Sequence, residues 1–119
     1  MEEKNPIQVA DRLFHTLELL SSRGEMGLIE ISSELSLHKS TVHRLLNSLI
    51  FLGYARQRED GKYQATYKIL DLANQLASNI DAVNVVRPYL RELARKTQET
   101  VHFVELDGVE AFYVDKVES

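Results

Sequence analysis

The 119-residue sequence has no cysteine, which excludes disulfides, thiolate zinc sites and cysteine nucleophiles and fits an intracellular setting. No apolar run approaches the roughly 20 residues that a membrane-spanning helix needs. The acidic opening Met1-Glu-Glu-Lys4 lacks the basic and apolar regions of a signal peptide. The expectation is a cytoplasmic protein with no membrane partner. Internal repeats, low-complexity tracts and long charge runs are missing too. A positive balance is also missing: 14 Lys and Arg stand against 18 Asp and Glu, for a net charge of −4, the wrong sign overall for a polyanion ligand. With 44% hydrophobic and 27% charged residues, what remains is a soluble globular composition, enough for one full domain and part of another.

The charge is unevenly divided along the chain. Residues 1–35 hold 3 Lys/Arg against 7 Asp/Glu, for −4; residues 36–64 hold 5 against 2, for +3; residues 65–119 hold 6 against 9, for −3. Phosphates respond to the field within about 8–10 Å at physiological salt, so one basic face on an acidic chain can bind them. The basic segment overlaps the stretch Glu30 to Gly53, which reads as two short helices joined by a tight turn. At 100° per residue, Val42, Leu45, Leu46, Leu49 and Leu52 fall on one side of the second helix, and Ser40, Arg44 and Asn47 on the other. Thr41, His43 and Ser48 flank that polar face. Hydroxyl, imidazole and guanidinium groups there can reach base edges and phosphates.

The neighbouring segments give this helix-turn-helix its meaning. Gln8 to Ser22 predicts a helix with Val9, Leu13, Leu17 and Leu20 as its stripe, widened by Phe14 and Leu19, and with Asn5 or Gln8 as weak caps. Met26 to Ile29 reads as an extended connector and Glu30 to Leu35 as the second helix. Ser36-Leu-His38 forms the turn with Leu37 as a plug, and the third helix runs from Lys39 to Leu52 before Gly53 stops it. Tyr54 to Arg58 and Lys62 to Thr66 are extended runs around Asp60-Gly61, a hairpin signal. This hairpin is a wing, and Arg56, Arg58 and Lys62 lie on or near it, placed to follow phosphates or enter the minor groove.

Tyr67 to Asn79 predicts a further helix whose stripe of Ile69, Leu70, Ala73, Leu76, Ala77 and Ile80 has no partner inside a small winged domain. It packs within the chain or forms a dimer contact. Two half-sites on DNA need a two-fold assembly, which favours the dimer. The expected interface is Leu13, Leu17, Ile69, Ala73 and Leu76. Asp81 to Thr97 is another helix, with Val86, Leu90, Leu93 and Ala94 inward and Pro88 in its early turns. Thr100 to Leu106 and Val109 to Val117 flank Asp107-Gly108 as a second hairpin, apolar on both faces like buried central strands. An isolated hairpin is marginal in water, so the sequence reads as the N-terminal piece of a longer protein. The expected organisation is a winged domain over 1–66, a linker helix over 67–80 and the opening of a second domain over 81–119.

These residues carry a resemblance to the IclR family of bacterial transcriptional regulators, covering nearly all of the chain. Lys39-Ser-Thr-Val-His-Arg-Leu-Leu46 resembles the family's recognition helix, Leu52-Gly-Tyr54 its exit into the wing, and Tyr67-Lys-Ile-Leu70 the entry to its linker helix. Glu99-Thr-Val-His102, Leu106-Asp-Gly108 and the run from Tyr113 to Ser119 resemble the opening of its effector domain. The resemblance implies an α+β chain: a winged helix-turn-helix, a linker helix, and the opening helix and hairpin of a truncated α/β effector-binding domain. It also implies a homodimer or dimer of dimers on double-stranded operator DNA, acting as repressor or activator under a small-molecule effector. Lys39, Ser40, Thr41, His43 and Arg44 are the implied DNA contacts. Three positions depart from the family pattern: Ile29 where a capping Ser or Thr is common, Ser36 where Gly is common, and His38 where Pro is common.

Blander readings stand beside these. His43 either contacts DNA or buttresses its helix. His38 and His43, about 140° apart around a helix, make no metal pair, and no His-Glu-x-x-His motif is present. Phe51 lies on the polar side of the third helix, and its C-terminal place favours packing under the wing over base stacking. No catalytic role is assigned to Ser40, Thr41, Tyr113 or Asp115, and no cofactor is expected. The competing function is a winged-helix protein-interaction module.

Overall fold

The computed structural model describes residues 3–119. It has an α+β architecture that divides into two compact units, one reaching to Asp71 and one running from Leu72 to Ser119.

The first unit contains α1 (Gln8–Arg23), β1 (Glu25–Met26), α2 (Leu28–Leu35), α3 (Lys39–Leu52), β2 (Ala55–Gln57), β3 (Tyr63–Ala65) and the start of α4 (Lys68–Ser78). The strands form an antiparallel sheet in the order β1-β3-β2, with Met26 opposite Tyr63 and Arg56 opposite Gln64. Its core joins Leu20, Met26, Ile31, Val42, Leu46, Leu49, Ala55 and Tyr63, so every helix and every strand of the winged fold contributes to one cluster. Burying a Leu, Ile or Val side chain contributes about 1.5–3 kcal/mol.

The periodicity locates α3 and its buried side correctly, except that Leu52, at the last turn, is exposed. Gly53 ends the helix at φ +90°, a conformation other residues adopt only under strain. Phe51 departs from expectation: it is 89% exposed and does not pack under the wing. In α1 the buried positions are Thr16 and Leu20, whereas Val9 and Phe14 face solvent. The Thr16 hydroxyl is tolerated inside because it donates to the Arg12 carbonyl at 2.7 Å. Neither Asn5 nor Gln8 caps α1. Ile7 holds the N-cap position, and the Asn5 side chain accepts the Ile7 N–H at 3.0 Å one step earlier.

The connector before α2 is shorter than its apolar run implies, because the strand is Glu25–Met26 and the helix already begins at Leu28. Gly27 is the N-cap, and the Glu30 carboxylate reaches back to accept its N–H at 3.3 Å, half of a capping box. Ile29 therefore lies inside the helix and caps nothing. Ser36 ends α2 in the left-handed region (φ 54°), which accounts for the glycine common there in the family. Leu37 packs against the core as a plug, tied by its N–H to the Ser32 carbonyl at 3.1 Å and by its carbonyl to the Ser32 hydroxyl.

The second unit holds the rest of α4, then α5 (Asp81–Thr97), β4 (Val101–Asp107) and β5 (Glu110–Val117). No residue of α4 is buried. α5 lies against both strands and buries Val83, Leu90 and Ala94, while Leu93, expected inward, is exposed. Pro88 sits past the first turn, where it withholds an N–H from the preceding turn. The hairpin pairs Val101 with Val117 and Asp107 with Glu110, with an irregularity after Phe103 that leaves Val114 as the extra residue. Its strands are mostly exposed, unlike the buried central strands their composition suggests. Arg87 of α5 holds Asp115 of β5 in a two-pronged pair, at 2.9 and 3.2 Å. The hydrogen bond from Arg87 keeps the Asp115 carboxyl below the usual carboxylate range, against the opposing effect of its burial.

Candidate nucleic-acid interface

α3 presents its polar side because its other side is consumed by the core. Lys39, Ser40, His43, Arg44, Asn47 and Ser48 are exposed, and Thr41 is half-buried. The turn at Ser36 sets the start of this helix, and His38 occupies its N-cap position at φ −65° without a side-chain cap. That φ is the one a proline ring imposes. At 100° per residue, Phe51 extends the row formed by Ser40, Arg44 and Asn47. Among the described residues, Lys39 and Arg44 make no salt bridge. Their charges stand in solvent, available to a ligand.

The wing follows from its turn. Gly61, at φ +88°, lets the chain reverse, with the Arg58 N–H donating to the Lys62 carbonyl at 2.7 Å and the Gly61 N–H to the Arg58 carbonyl at 3.0 Å. The Asp60 carboxylate accepts the Lys62 N–H at 3.0 Å. The three wing cations are not equivalent. Lys62 is exposed and outside the salt bridges of the described residues. Arg56 donates from Nε to Gln64 Oε1 at 2.8 Å, which orients the guanidinium across the hairpin and leaves its terminal nitrogens for another acceptor. Arg58 is paired with Glu25 of β1 and stands 3.7 Å from Asp60, so it is already neutralised and ties the wing to the sheet edge. Sequence reasoning missed both Gln64 and Glu25. The register of the hairpin predicts the first, since Gln64 sits directly opposite Arg56. The second is a long-range pairing with no local signal.

A further unanticipated residue is Lys68, whose ammonium donates to the Leu52 carbonyl at 2.7 Å and lies 4.6 Å from the centre of the Tyr54 ring. As for the expected subunit contacts, Leu13 and Leu17 are half-buried against the first unit's own core, Ile69 is half-buried, and Ala73 and Leu76 are exposed. Among the described residues, no group of three His, Asp or Glu side chains is arranged to hold a metal ion. No described helix is long and apolar enough to cross a membrane.

Comparison with known proteins agrees with this geometry. Residues 9–59 match the IclR helix-turn-helix domain, and residues 74–119 match the bacterial transcriptional regulator IclR C-terminal domain. The chain is 34% identical over 120 residues to the HTH-type transcriptional regulator KdgR of Escherichia coli, covering 98% of this chain and 46% of the relative. It is 35% identical over 114 residues to XynR of the same organism, covering 94% and 45%. The chain thus spans about half the length of the curated relatives it matches. An IclR family transcriptional regulator from Brucella abortus superposes with a TM-score of 0.82 at 30% identity, covering 99% of this chain and 46% of the other. The Thermotoga maritima IclR superposes at 0.77 and 23% identity, covering 92% and 45%, a likeness of fold.

Proposed function

Since the chain belongs to the IclR family of bacterial transcriptional regulators, we propose that it reads duplex DNA with α3 and the wing, as part of a regulator controlled by a small molecule. The observation that carries this reading is the unpaired polar face of α3, with Arg44 and Lys39 exposed, inside the one basic segment of an acidic chain.

Roles follow from the geometry. Arg44 is suited to bidentate contact with guanine O6 and N7, worth about 1–3 kcal/mol of discrimination. Ser40, Thr41, His43 and Asn47 lie beside it for base or phosphate contacts. Lys39, Arg56 and Lys62 supply affinity through phosphates, while Arg58, held by Glu25, braces the wing. Two copies associate through α4, with Ile69, Ala73 and Leu76 at the centre and Leu13 and Leu17 at the margin, and so meet the two halves of a palindromic operator. Residues 81–119 open the effector-binding domain, 67–80 form the linker, and 1–66 form the winged domain.

The test is binding to operator and to random duplexes across a salt series. Arg44→Ala should lose discrimination, whereas Arg56→Ala should weaken both duplexes alike and lower the salt slope by about 1. Equal losses on both duplexes for both variants would remove Arg44 from base reading. No duplex binding even at low salt would favour the alternative, a winged-helix module that docks a protein.

A further inference from the structure

We propose that Lys68 is a positioning residue for base recognition: from the first turn of α4 it closes the carboxyl end of α3 and so fixes how the Ser40–Arg44–Asn47 face is presented. The inference rests on the DNA-binding reading above.

A helix ends with carbonyls that lack partners and with the negative end of its dipole. α3 has no basic residue in its last turn to answer either. Lys68 does so from the next helix, through its 2.7 Å hydrogen bond to the Leu52 carbonyl. The same ammonium rests 4.6 Å from the centre of the Tyr54 ring, and Tyr54 packs on the core. The intervening backbone is closed by Thr66. Its hydroxyl donates to the Gly53 carbonyl at 2.6 Å, its N–H donates to the Tyr54 carbonyl at 2.9 Å, and its Oγ1 accepts the Lys68 N–H at 3.3 Å. The lysine stem also lies over Gly53, where a Cβ would meet Lys68 Cδ at 3.4 Å and Nζ at 3.5 Å, in ordinary van der Waals contact.

The consequence for reading bases is one of leverage. Leu52 lies eight residues from Arg44, about 12 Å along the helix, so a tilt of about 5° displaces Arg44 by about 1 Å, enough to spoil a bidentate contact. Because Lys68 belongs to α4 and not to α3, any displacement of the start of α4 withdraws the charge from the end of the reading helix.

The test compares Lys68→Met and Lys68→Arg with the wild-type 119-residue chain. The probes are a duplex selected by the wild-type chain from a random pool and a scrambled duplex of equal length. Lys68→Met should weaken the selected duplex about fivefold, leave the scrambled duplex and the salt slope unchanged, and speed hydrogen exchange at the Gly53 and Tyr54 amides. Lys68→Arg should restore all three towards wild type. Equal losses on both duplexes with a salt slope shallower by about 1 would make Lys68 a phosphate contact and overturn the proposal. A loss that tracks a lowered melting temperature, or no change in any readout, would overturn it as well. If the wild-type chain selects no duplex, the DNA-binding reading fails and takes this inference with it; in every other failure wild-type binding is intact, so the two are told apart.

Discussion

The two units differ in how they use a similar stock of apolar side chains. The first draws three helices and three strands into one cluster that includes Leu46 and Leu49. The second buries only Val83, Leu90 and Ala94, while Leu72, Leu76, Leu106, Val109, Phe112 and Tyr113 face solvent. A closed core tolerates an unpaired polar surface because its stability does not depend on what that surface meets. An open one leaves its own stability coupled to whatever covers it.

Substitutions sharpen the contrast. Leu46→Ala, at a position with 0% exposure, should cost about 2–5 kcal/mol in denaturant unfolding, whereas Leu106→Ala, at 75%, should cost less than about 0.5 kcal/mol. Similar losses at both would mean that the exposed strand side chains of the second unit are covered. Next in size, Gly53→Ala imposes a left-handed conformation on alanine and should cost about 1–2 kcal/mol of first-unit stability, read from its melting transition. Smaller still is a matched pair. Ser36 and Gln98 end α2 and α5 in the left-handed region, so glycine at either should stabilise by about 0.5–1 kcal/mol. A gain at Ser36 without one at Gln98 would show that only the first unit holds its helix end rigidly.

The smallest expected effect is with pH. Because Arg87 lowers the folded-state pKa of Asp115, their pair contributes stability that is present above the ordinary carboxylate range, near pH 4. That contribution is lost as pH falls through the lower folded value. Arg87 stays charged throughout and adds no pH dependence of its own. Hydrogen exchange along β5 should therefore accelerate below about pH 4, and Asp115→Asn should abolish that acid response. An unchanged profile in the variant would separate the hairpin's stability from this pair.

The sequence made legible whatever depends on local period and local turn chemistry. The face of α3, the stop at Gly53, the wing around Asp60-Gly61 and the unpartnered stripe of α4 all follow from spacings within one element. The start of α2 was obscured because Leu28-Ile29 has the composition of a strand and its cap is a glycine, completed by Glu30 from inside the helix. Phe51 and Leu93 were misplaced for a different reason. Their periodic position allows burial, but burial requires a neighbour, and no one-element pattern supplies it. The pairing of Arg58 with Glu25 and the reach of Lys68 to Leu52 are likewise products of chain return, so two cations with similar sequence signals acquire structural work.

Tyr63 bears a consequence beyond packing. It opens β3, the central strand of its sheet, and is 4% exposed, between Met26 of the edge strand and Gln57 of the wing strand. The root of the wing is therefore ordered by folding itself. Fixing a residue's backbone costs about 1–2 kcal/mol in lost conformational freedom. For the residues around Tyr63 that cost is met in folding, so the wing is preorganised for whatever it meets.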